Sequence, residues 1–192
     1  MTQTVNNPFF QSYNTPFVTP PFNEIKTEHY EPAFDEGIIQ LEKEIQEIAE
    51  NKQPATFENT IVALERSGKL LEKVSSAFFN VLNAEADDEM MDISQRVSPK
   101  LSESSNNIFL NEKLFARVKD VYEQKEQLNL STEDAKLLEE TFESFSIRGA
   151  NLSPGDKEKY RKLSTDLSVL TLTFDQNALK DKNRYELLLT EE

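Results

Sequence analysis

The sequence predicts an all-α protein: an antiparallel multi-helix bundle of about six helices, preceded by an extended arm rich in Pro and Phe. Three observations lead there. Only 4 of 192 residues are Gly, while Leu, Glu, Lys and Ala are plentiful, a composition that favours helix over sheet. Apolar residues recur along most of the chain in steps alternating three and four, the spacing of one helix face. Capping residues and prolines punctuate these periodic stretches, leaving the short connections of a helical bundle.

Residues 1–25 read as the arm. Pro8, Pro16, Pro20 and Pro21 rule out a regular helix and favour extended or polyproline backbone. A disordered tail is poor in aromatics, yet Phe9, Phe10, Tyr13, Phe17 and Phe22 lie here. The arm is therefore expected to plug its rings into the helical body; a proline-motif docking peptide is the functional alternative.

Residues 26–182 read as the helical lobe. A first helix begins at Thr27 or Glu28, with Pro32 tolerated in the first turn. Tyr30, Phe34, Ile38, Leu41, Ile45 and Ile48 form its apolar stripe, and Glu42, Lys43, Glu47 and Glu50 its solvated side. Residues 51–55 make a turn around the helix-stopping Pro54. The central helix then runs from Thr56, a natural N-cap, unbroken to Asn83. One face of it reads Phe57, Ile61, Leu64, Gly68, Leu71, Ser75, Phe78, Leu82, and a neighbouring face reads Ala63, Ser67, Leu70, Val74, Ala77, Val81. An apolar arc this wide must pack against at least two other helices, which makes this stretch the expected spine of the domain.

Asp87-Asp88-Glu89 is an acidic cluster that could attract a metal. It also suits a helix N-terminus, and the series Met90, Ile93, Val97, Leu101, Ser105, Ile108 follows at once, so it is read as a cap. Pro99 is expected to kink this third helix and Ser102, Ser104 and Ser105 to weaken it. Asn111 caps a short fourth helix with Leu114, Val118 and Val121 inward. Asn129-Leu130-Ser131 and Asn151-Leu152-Ser153 are each formally a glycosylation sequon and each also a capping arrangement, with an acid three residues after Ser. Capping is preferred, since nothing else points to secretion. The fifth helix carries Leu138, Phe142 and Phe145 and stops near Gly149. The sixth carries Tyr160, Leu163, Leu167, Leu170, Phe174 and Ala178. Residues 183–192 read as the truncated start of a next element, with a strand expected to begin over residues 185–189.

Composition narrows the function. A net charge of −14 argues against nucleic acid, whose phosphates require Lys and Arg, and against anionic membrane surfaces. With no Cys, disulfides and thiolate metal sites are excluded. No apolar run approaches the ~20 residues needed to span a bilayer, and the opening residues carry no secretory pattern; a cytoplasmic protein is the simplest expectation. His29 is the single histidine, while zinc catalysis usually takes three protein ligands. It is read as a packing or surface residue. No nucleophile elbow, phosphate loop or paired-carboxylate site stands out, so no catalytic, cofactor-binding or metal residue is assigned.

Eight stretches carry a resemblance. Asn7-Pro8-Phe9-Phe10, Thr15-Pro16-Phe17 and Pro20-Pro21-Phe22-Asn23-Glu24-Ile25 open it, followed by His29-Tyr30-Glu31-Pro32-Ala33-Phe34-Asp35-Glu36-Gly37 and residues 56–68. It continues through Val74-Ser75-Ser76-Ala77-Phe78-Phe79, residues 110–118 and Gly149-Ala150-Asn151-Leu152. These resemble, in order, the beginning of the thimet oligopeptidase family of zinc peptidases, and within it the bacterial peptidyl-dipeptidase branch. The resemblance implies a helical lobe that walls a deep channel admitting short peptides. It also implies partners in the C-terminal catalytic lobe of the same parent chain and in short peptide substrates. The family's zinc site, His-Glu-x-x-His with a further glutamate, belongs to the C-terminal half. No zinc ligand carries over to these residues, and the fragment alone is expected to be inactive. An isolated lobe is expected to expose apolar surface that otherwise meets the rest of the parent. The other class open to the sequence is a free-standing acidic helical interaction module.

Overall fold

Local capping signals set most of the helix starts. The computed structural model describes residues 6–85, 87–184 and 186, and among these it contains helices α1 (Tyr30–Ala49), α2 (Ala63–Glu65), α3 (Lys69–Glu85), α4 (Asp88–Phe109), α5 (Glu112–Glu123), α6 (Thr132–Ile147) and α7 (Pro154–Arg184), with no strand. The expected strand over residues 185–189 lies outside the described residues, Glu186 apart. Asp87 accepts the Met90 N–H at 2.7 Å, Asn111 that of Leu114 at 3.0 Å, Ser131 that of Asp134 at 3.1 Å and Ser153 that of Asp156 at 3.3 Å. Each satisfies a donor that a helix end leaves orphaned. Thr56 and Asn59 cap reciprocally, each side chain accepting the other's N–H, and open a wide π turn over Phe57–Val62 that runs into α2. Helix α4 continues through Pro99 in one piece.

The central stretch is not the unbroken helix its spacing predicts. It stops after α2, where Gly68 takes φ 73°, a left-handed conformation that ends helices and that glycine adopts without steric penalty. Ser67 Oγ donates back to Leu64 O at 2.7 Å, and a carboxylate from α1, Glu44 Oε2, accepts the Gly68 N–H at 2.7 Å. The break sends the two halves into different cores.

The first core joins Phe9 of the arm, Tyr30, Ala33 and Phe34 of α1, Val74, Ala77 and Phe78 of α3, and Met90, Ile93 and Val97 of α4. Its centre is a set of edge-to-face rings, with Phe78 5.1 Å from Tyr30, 5.2 Å from Phe34 and 5.2 Å from Phe79. Such pairs add about 0.5–1.5 kcal/mol beyond burial alone. The second core joins Ile45, Ile48 and Ala49 of α1 to Ile61, to Leu114, Val118 and Val121 of α5, and to Leu138 and Phe145 of α6. The 56–83 stretch reaches both cores only by breaking, whereas α1 supplies buried residues to both as one unbroken helix.

Contacts fix the directions. Helices α1 and α3 run antiparallel, Tyr30 meeting Phe78 and Gly37 meeting Leu71. Helices α1 and α4 run side by side in the same sense, through Glu31–Arg96, Asp35–Lys100 and Glu42–Asn107, each pair 65 residues apart. Helix α7 returns antiparallel along α4, pairing Asn107 with Arg161, Asn106 with Ser164 and Gln95 with Gln176. None of its described residues is among the buried residues of either core.

The arm only partly fulfils its expected role. Phe9 is buried against Tyr30, and Tyr13 is half-buried. Phe10, Phe22 and above all Phe17, 98% exposed, do not plug in; the short turns at Pro8–Phe10 and Pro16–Val18 aim the Phe10 and Phe17 rings away from the body.

The glycines test this architecture. A Cβ at Gly37 would lie 3.0 Å from Leu71 Cα, backbone that cannot yield by a side-chain turn. Gly37→Ala should lower the unfolding free energy by about 1–3 kcal/mol, measured by urea denaturation. Gly68→Ala, strained by its φ and 3.2 Å from Leu41 Cδ1, should lose about 1 kcal/mol. Gly155→Ala in the first turn of α7, with nothing within 4 Å, should gain up to about 1 kcal/mol.

Candidate functional site

The residues with chemical potential are engaged structurally. His29 is 6% exposed; its Nδ1 accepts the Lys26 N–H at 3.0 Å and its carbonyl accepts from Asn7 Nδ2 at 2.8 Å, tying the arm to the start of α1. Asp87 caps α4. Ser131 and Ser153 cap α6 and α7, their hydroxyls each also donating to the acid three residues on, at 2.8 Å. Among the described residues no cluster of three or more His, Asp or Glu is arranged to hold a metal ion. With one histidine and no cysteine, these residues do not fit a His-Glu-x-x-His zinc site. A cleft of about 540 Å³ lies between α1, α4 and the start of α5 and carries Glu42, Glu50, Glu112 and Lys113 without a nucleophile–base pair. No helix among the described residues is long and apolar enough to cross a membrane.

Two polar clasps escape sequence reading. Arg117, 8% exposed, donates from Nη1 to the carbonyls of Asn51 and Gln53, both at 2.9 Å, and from Nη2 to Asn59 Oδ1 at 2.8 Å and Thr60 Oγ1 at 3.2 Å. One planar fork thereby holds the 51–60 connection against α5. The signal was available: Arg117 falls between Leu114 and Val118 on the inward spacing of α5, a position read only for its apolar neighbours. Lys73 of α3 grips the arm, donating to Phe9 O at 2.9 Å and Gln11 O at 2.6 Å while its ammonium sits 3.7 Å from the centre of the Tyr13 ring. Burial pulls this ammonium below its ordinary pKa. Burial, reinforced by Tyr30, pushes the Tyr13 phenol up to about 12.

The largest unsatisfied feature is the outer side of α7. Leu163, Leu167, Leu170 and Phe174 are 67%, 63%, 66% and 72% exposed. The helix instead turns its polar side inward onto α4. Gln176 accepts from Gln95 Nε2 at 2.8 Å and donates to Met91 O and Ser94 Oγ at 3.3 Å, and Ser164 and Asn106 exchange hydrogen bonds at 2.8 and 3.1 Å. Of the stripe expected to seat this helix in the bundle, Tyr160 meets α4 but Leu163, Leu167, Leu170 and Phe174 face the other way, because α4 presents mostly Ser94, Ser98, Ser102, Ser105 and Asn106 to it, with Leu101 and Phe109 among them.

A helical scaffold with an open apolar face is what the described residues define. No family model matches the chain. Its homologues are peptidases. The chain is 42% identical to the dipeptidyl carboxypeptidase of Escherichia coli strain K12 over 176 residues, 92% of this chain and 26% of that enzyme. It is 38% identical to the dipeptidyl carboxypeptidase of Salmonella typhimurium strain LT2 over 173 residues, 90% of this chain and 25% of that enzyme. Oligopeptidase A of Escherichia coli matches 93% of the chain at 24% identity. The chain thus spans about a quarter of the length of the curated relatives it matches. The chain is homologous to dipeptidyl carboxypeptidases, with oligopeptidase A relatives covering it as well, in keeping with the N-terminal region of the thimet oligopeptidase family.

Both clasps can be measured. Arg117→Lys keeps the charge but not the fork, so it should lower stability by about 2 kcal/mol or more in urea denaturation. Arg66→Ala, which breaks an ion pair with Glu58 that is 68% and 72% exposed, should change it by less than about 0.5 kcal/mol. For Tyr13 the folded state favours the neutral phenol, so its contribution to stability is present below the ordinary value of 10.0 and is lost as pH rises toward about 12. Phenolate absorbance should show a late-titrating step that Tyr13→Phe reduces, together with a shallower loss of stability in that window.

Proposed function

We propose that this chain is the N-terminal helical lobe of a zinc metallopeptidase resembling peptidyl-dipeptidase, a cytoplasmic enzyme that releases dipeptides from the C-terminal end of short peptides. The lobe walls the channel that admits those peptides, and its partner is the C-terminal catalytic lobe of the same parent chain. One observation carries the reading: 42% identity across 92% of this chain to an enzyme of which it spans 26%. The donor inventory agrees with a division of labour, since a single, packed His29 leaves the reaction chemistry to residues outside this chain. What the lobe contributes is shape, supplied by two rigid cores.

The test compares the 192-residue chain with the longer polypeptide read in the same frame, both assayed for C-terminal dipeptide release from N-blocked tetrapeptides. The longer polypeptide should release dipeptides and lose that activity to a chelator, zinc restoring it. The chain alone should release none. Chelator-sensitive dipeptide release by the chain alone would falsify the reading, as would a stop codon directly after residue 192.

A further inference from the structure

We propose that the outer side of α7 is a docking seam for an amphipathic helix contributed by the part of the parent polypeptide that lies outside this chain. The inference rests on the reading of the chain as one lobe of a longer peptidase and adds to it the surface and the kind of element that meets it.

Four observations carry it. First, Leu163, Leu167, Leu170 and Phe174 follow steps of four, three and four, which align on one side of a helix for ~16 Å. That is the spacing with which a second helix interlocks, rather than a scatter of single exposed side chains. Second, the seam is depleted of charge. Across residues 163–174 only Asp166 is charged, in a chain of which 29% is charged. Loss of charge at the centre of an exposed patch, with Ser and Thr at its margins, is the compositional mark of an interface core.

Third, the helix does not satisfy this side among the described residues. Its opposite side is committed to α4 through Arg161, Ser164 and Gln176. Rotating the Leu stripe inward would break those bonds and set leucines against the serines of α4. Fourth, the chain spans only about a quarter of its relatives, so most of a polypeptide of that length lies outside it. A second copy of this chain is the poorer occupant, because each copy brings a net charge of −14 and like charge opposes association. The occupant is therefore a helix with its own apolar stripe and uncharged polar flanks, lying along residues 163–174.

The absence of cysteine from the chain makes the test clean. Leu167→Cys and Leu170→Cys place a thiol on the seam; Lys43→Cys, on the solvated side of α1, places one elsewhere and reports general access. Each is introduced into the 192-residue chain and into the longer polypeptide freed of other cysteines, and labelled with a maleimide after circular dichroism has verified the fold. The seam-to-control ratio of labelling rates should fall ~100-fold or more in the longer polypeptide, the protection expected of a packed rather than fraying position. An unchanged ratio overturns the seam. Slow, concentration-dependent labelling of the 192-residue chain alone overturns it in favour of a second copy.

The two proposals fail separately. A longer polypeptide that releases dipeptides but labels rapidly at residue 167 loses the seam and keeps the peptidase reading. One that protects residue 167 but releases no dipeptide does the reverse.

Discussion

The fold depends on how closely α1 approaches α3. At Gly37 the two backbones come so near that a single added methyl would reach Leu71 Cα at 3.0 Å. That contact brings Phe34 and Tyr30 onto Phe78 on one side of the crossing and Leu41 onto Gly68 on the other. Because α1 is long enough to extend past α3, its second half is left to build a separate core with α5 and α6. One helix therefore sets the relative position of two clusters that share no buried residue.

Polar interactions then fix what the apolar cores leave free. Hydrophobic contact is non-directional, so two clusters strung on one helix could slide or twist. The regular ladder of α1 to α4 pairs sets the register of those helices, and Arg117 binds the 51–60 connection at four acceptors at once. Glu31 shows the same division of effort. The hydrogen bond from the Arg96 guanidinium holds its carboxyl below the usual range, with the charges of Arg96 and Lys100 adding to the effect. Such a surface pair specifies alignment more than it adds stability. The result is a set of helices whose alignment is fixed by paired polar groups as well as by apolar packing.

Helix α7 extends that logic outward. It is held by amides, hydroxyls and a guanidinium instead of by buried leucines, so its position is set by hydrogen-bond geometry while its apolar side remains free. For the proposed lobe this is a sensible arrangement: an exposed helix that is already oriented loses little freedom when a partner covers it.

The sequence by itself determined the helical class, the caps and the inward residues of α1, α4, α5 and α6. These are local matters: a Ser or Asp side chain reaches its own helix end within three residues, and the three–four spacing follows from the geometry of a single helix. Three outcomes required the tertiary structure. The 56–83 stretch breaks at Gly68 because Glu44 of α1 waits there to accept its N–H, a partner 24 residues away. Arg117 lies at an inward position because four acceptors from another segment converge on it. And the stripe of α7 faces outward, since periodicity states that a helix has an apolar side but not what that side will meet; α4 settled the matter by offering serines.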